Sequence, residues 1–118
     1  MQVDFESIQP VTAEHFKGGE GSVTTQAYVD ANNRIMKATV HPHSSIGWHQ
    51  HAGNSEIVYV LSGTGKVVVE GGEEPLAPGM CHYCAEGSST PYRTPTMRTW
   101  SCSPWCLSTI RCNSFEAR

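Results

Sequence analysis

Apolar residues along this chain fall in short runs or alternate with polar ones, and no stretch repeats at helical spacing. The segments "SVTTQAYVD" (22–30) and "RIMKATV" (34–40) predict two strands joined by a turn at "ANN". A β-rich run from Glu56 to Leu61, a tight turn at Ser62–Gly65 and a second run from Lys66 to Glu70 follow, with another turn at Gly71–Gly72. "GTGK" within that segment reads as a hairpin turn. It is not a phosphate loop, because Val67 follows the lysine and no helix pattern comes next. "MCHYCAEG" (80–87) predicts one more strand running into a turn at Gly87. Up to residue 87 the pattern is all-β with almost no helix.

Composition narrows the picture. A chain of 118 residues forms one domain with room for a core. The 11 glycines and 7 prolines suit many short strands joined by turns. A net charge of −3 gives no basic footprint for nucleic acid. "MQVDFESIQP" lacks the charged start and apolar run of a secretory signal, and nothing approaches a membrane span. Five cysteines, an odd number, fit a reducing cytoplasm better than a disulfide framework, so a cytoplasmic location is expected.

After Gly87 the character changes. Residues 88–118 hold four arginines and one acidic residue, against ten acidic and four basic residues before them. Pro91, Pro95 and Pro104 interrupt any ladder, and only "CLSTIRC" alternates. Such a tail is expected to pair poorly, leave sheet edges exposed and make the protein marginally stable.

Four of the six histidines fall in "HPHSSIGWHQH" (41–51). Strand residues two apart share a face, so His49 and His51 aim two imidazoles at one point, and Glu56 lies within reach past "AGN". Two imidazoles and a carboxylate suit Zn, Mn, Fe, Co or Ni, with coordination positions left open. A histidine-rich surface loop is the plainer reading of an isolated H-x-H. His41 and His43, flanking Pro42, read as solvated loop residues.

With Gly63, these residues resemble the first motif of the cupins, G-x5-H-x-H-x3-4-E-x6-G, in "HQHAGNSEIVYVLSG". His43 stands where that motif begins with glycine. The resemblance implies a single-domain cupin-type jelly-roll β-barrel with a divalent metal, among Mn, Fe, Ni and Zn, held on His49, His51 and Glu56. It also implies a small-molecule ligand and a homodimer. The second cupin motif, G-x5-P-x-G-x2-H-x3-N, is half present: Gly79 and Gly87 match, while Ala85, Thr90 and Thr94 replace its proline, histidine and asparagine. A shifted reading frame is one account of residues 88–118. Codons read from their third bases can spell histidine across Ser89–Thr90 and asparagine across Arg93–Thr94, and sequencing the gene checks this.

Cys81, Cys84, Cys102 and Cys106 have a superficial zinc-ribbon spacing, C-x2-C-x17-C-x3-C. Opposite strand parity should make Cys81 and Cys84 diverge, so inert thiols are the expectation. His82 could face inward and stand in for the missing fourth ligand, and His82, Tyr59, Tyr83 and Trp48 are candidate cavity residues. Two function classes follow: a metal-dependent enzyme, of oxygenase or isomerase type, or a non-enzymatic binding or sensor barrel with a vestigial metal site. No residue is singled out as catalytic acid or base.

Overall fold

The computed structural model describes residues 1–47, 54–69, 72–85, 97–99 and 105–113. Among the described residues ten strands run in chain order: β1 (Val11–Glu14), β2 (Ser22–Val29), β3 (Asn33–Val40), β4 (Ser45–Ile46), β5 (Asn54–Ser62), β6 (Gly65–Val69), β7 (Gly72–Leu76), β8 (Cys81–Cys84), β9 (Met97–Thr99) and β10 (Trp105–Asn113). Among the described residues the only helical pieces are single 3-10 turns at Phe5–Ser7 and Phe16–Gly18. The strands form two antiparallel sheets, one ordered β1-β2-β3-β10-β5-β8 and the other β4-β9-β6-β7. The result is the expected all-β jelly roll.

Alternation decides which face is buried. On β3, Met36, Ala38 and Val40 point into the core, and on β5, Glu56, Val58 and Val60 do. Val23, Ile46, Val67 and Leu76 close the same cluster. Among the described residues the largest fully buried side chains are valines (Val23, Val40, Val58, Val60 and Val67). Branching at Cβ suits them to a pleated, tightly packed surface.

The β2–β3 connection folds as expected. The Asp30 carboxylate accepts the backbone N–H groups of Asn32 at 2.8 Å and Asn33 at 2.7 Å. These bonds hold its carboxyl below the ordinary carboxylate range. A depressed value means that its contribution to the turn is present above about pH 4 and fades as acid protonates the group.

Two expectations are corrected. The turn after Ser62 is tight, with Gly63 at φ 78, but it is not a hairpin: β5 and β6 belong to different sheets, so the chain crosses from one to the other there. Each strand pairs elsewhere, β5 with β10 and β8, β6 with β7 and β9. The tail also pairs. "CLSTIRC" lies within β10, which inserts between β3 and β5, with a register shift between Cys106 and Leu107. Its threonine and isoleucine are strong strand formers, and all three tail prolines fall outside β9 and β10.

Strand β7 had no clear signal, because Pro75 breaks the pattern and only Leu76 is buried. As an edge strand carrying proline and two glutamates, it is protected against pairing with other chains.

Candidate metal and ligand site

The segment that leads to the histidines is fixed by a close backbone crossing. Gly47 N donates to Phe16 O at 3.1 Å, Ser45 N to Glu20 O at 2.8 Å, and Glu20 N to Ser45 Oγ at 2.9 Å. Ser22 N donates to the buried Ser44 Oγ at 3.0 Å. Just before this crossing, Ser44 N donates to His41 O at 3.1 Å, closing a turn with Pro42 second and His43 third at φ 57. Proline followed by a positive φ is the pattern of a type II turn, whose third position favours glycine. His43 thus occupies a left-handed position where the resembled motif carries glycine, and its side chain is exposed. His43→Gly should stabilise the protein by about 1 kcal/mol and raise Tm by roughly 3–5 °C, as read by thermal melting. His41 is more than a solvated loop residue: its Nε2 lies 2.8 Å from Thr24 Oγ1.

His49, His51 and Trp48 lie outside the described residues, as do Gly87, Thr90 and Thr94. Glu56 is described. It sits on the inner face of β5, only 6% exposed, two residues before the core residue Val58. Its cross-strand neighbour on β8 is Cys84, also buried. Burial, and then the Glu56 charge beside it, push the Cys84 thiol above the ordinary cysteine value. The two cysteines diverge as parity requires, Cys84 inward and Cys81 outward. Alkylation followed by site-resolved mass spectrometry should therefore label Cys81 in the folded protein and Cys84 only after unfolding, since thiolate and access are both needed. Equal rates at the two would contradict this placement.

His82 faces inward in register with Val58, its side chain 12% exposed, and Nδ1 lies 3.3 Å from Glu74 Oε2. The two tyrosines do not line the cavity. Tyr59 is 44% and Tyr83 62% exposed, both on the outer face of the six-stranded sheet. Each is one residue out of step with the inward set, Tyr59 between Val58 and Val60, Tyr83 between His82 and Cys84.

Sequence reasoning passed over Arg34. It shares the parity of Met36, Ala38 and Val40, and that alternation in "RIMKATV" was the available signal. By register, the backbone row running across the sheet is Arg34, Arg111, Glu56, Cys84. In that row Glu56 and Cys84 are buried and Arg34 is partly buried, next to a cluster of valines with Met36, Ala38, Ile46 and Leu76. Among the described residues no group of three or more His, Cys, Asp and Glu side chains forms a metal cluster. Of the three expected ligands Glu56 alone is described, and its inward carboxylate is a donor type that divalent transition metals accept.

Residues 36–95 match the cupin domain family. An oxalate-binding protein of Thermotoga maritima is 28% identical over 95 residues, spanning 75% of this chain and 78% of its own. A predicted oxalate decarboxylase from Thermotoga maritima has a similar fold, with TM-score 0.84 and 21% identity over 97% of this chain and 100% of that one. So does a cupin-superfamily sugar phosphate isomerase from Silicibacter pomeroyi, with TM-score 0.76 and 16% identity over 97% of this chain and 76% of that one. Among the described residues, no helix is long and apolar enough to cross a membrane.

Proposed function

Since the chain belongs to the cupin domain family, we propose that it holds one divalent transition metal ion on His49, His51 and Glu56 and binds a small carboxylate there. The observation that carries this reading is the position of Glu56: a carboxylate buried on the inner face of β5, at the spacing from His49 and His51 that the first cupin motif uses. A bound ion would supply Lewis-acid or dioxygen chemistry with coordination positions open to a ligand. The chain's own part is to orient the ligand and keep the site dry, through the valine packing below Glu56 and the Gly47 crossing. The carboxylate class rests on the similarity to the oxalate-binding protein.

The second reading is a binding or sensor barrel without catalysis. Thr90 favours it, standing where the second motif has its histidine ligand. Metal content of untagged protein tests the first reading: stoichiometric Mn, Fe, Ni or Zn supports it, and a metal-free barrel that still binds a small molecule supports the second. In either case, the exposed Tyr59, Leu61 and Tyr83 on the outer face of β5 and β8 offer an apolar surface for a homodimer contact.

A further inference from the structure

Arg34 is an unusual residue to find on the core face of a central strand. Met36, Ala38 and Val40, the other inward residues of β3, are all buried and apolar. Among the described residues, Arg34 Nε is a buried side-chain nitrogen without a hydrogen-bond partner. Its Nη2 lies 4.0 Å from the Met36 sulfur. Arg34 is partly exposed near the start of β3, and its buried Nε is a donor left unmet; an unmet buried donor is destabilising, so a protein keeps one where something else offsets the cost. The donor left open is informative. Nε–H and the adjacent terminal N–H form the planar fork that a carboxylate meets with two parallel bonds. The register puts Arg34 on the same row as Glu56, two strand spacings away, or about 10 Å between their backbones.

We propose that Arg34 is the anion-recognising residue of the barrel interior, and that its ligand is a small dicarboxylate. One carboxylate pairs with the guanidinium fork, and the ligand's other end is left free towards the Glu56 side. This deepens the reading of His49, His51 and Glu56 as a ligand-binding metal site and rests on it for the ligand's position, but the pairing with Arg34 itself requires no metal.

The test uses oxalate as the probe. It is titrated calorimetrically into metal-loaded and chelator-treated protein, for wild type, Arg34→Met and Arg34→Lys. Arg34→Met should weaken oxalate binding about 10–100-fold in both states, the range for losing hydrogen bonds to a charged group. Metal content should not change, and Tm should hold or rise. Arg34→Lys, which keeps the charge but loses the fork, should recover only part of the affinity. In wild type, the Arg34 Nε–H resonance should shift on adding oxalate, a readout that needs no variant to fold. If metal binds and Arg34→Met leaves oxalate affinity unchanged, the Arg34 proposal is overturned and the metal reading stands. If no metal binds but oxalate binding still depends on Arg34, the metal reading fails and this proposal survives. Wild type that binds no oxalate in either state, or an Nε–H resonance that stays put at saturation, overturns the proposal outright.

Discussion

Replacing His49 and His51 together by alanine should take the protein from about one metal ion per chain to less than about a tenth, because one carboxylate alone cannot hold a transition metal against buffer. Elemental analysis of untagged protein reads this directly. Glu56→Gln removes the charge and keeps the shape, and should weaken metal binding by more than the roughly 10–100-fold that loss of an outer-shell partner costs. Wild-type affinity should also fall as pH drops through about 6.5, because a protonated imidazole cannot ligate, and two histidines make the fall steep. A wild type that retains metal unchanged down to pH 5 would point to ligands other than His49 and His51. So would a double variant that keeps its ion.

The second large effect concerns backbone. A Cβ at Gly47 would lie 2.1 Å from Lys17 O and 2.6 Å from Gly19 N, and one at Gly19 would lie 2.0 Å from Ser45 O. Those neighbours are main-chain atoms, which cannot swing aside as a side chain can. Gly47→Ala and Gly19→Ala should therefore each cost about 3 kcal/mol or more, roughly 10 °C in Tm. Gly18→Ala is the control. Nothing lies within 4 Å of its Cβ, and only the positive φ of 81 is strained, so it should cost only about 1 kcal/mol. Because Gly47 stands two residues before His49, Gly47→Ala should also lower metal content in whatever fraction still folds. Equal melts for the three variants would mean that the crossing is not as tight as described.

Most of the barrel's first half was legible because burial on one face leaves a period-two signature. β2, β3 and the opposite facing of Cys81 and Cys84 follow from that rule, and the turn residues of "ANN" marked the connection between the two strands. The rule does not say which strand sits beside which. The crossing after Ser62 looked like a hairpin because a tight turn and two β-rich runs are compatible with either pairing. Tyr59 and Tyr83 were assigned to the cavity on chemical type, and strand parity puts them outside. Arg34 drew no reading from the sequence, although its parity matched the core residues of β3. β10 was hidden by the prolines and charge of the tail around it, though its own nine residues alternate well enough to be paired on both sides.

That double pairing bears on how the protein is made. β3 and β5 are synthesised long before β10, which later comes to lie between them and hydrogen-bonds to both. A nascent chain that has reached residue 104 therefore has two bare strand borders facing a missing neighbour. The sheet is completed by insertion and not by growth at its rim, so folding waits until residue 113 has cleared the ribosome. The interval before that is when chaperones would matter most to this protein.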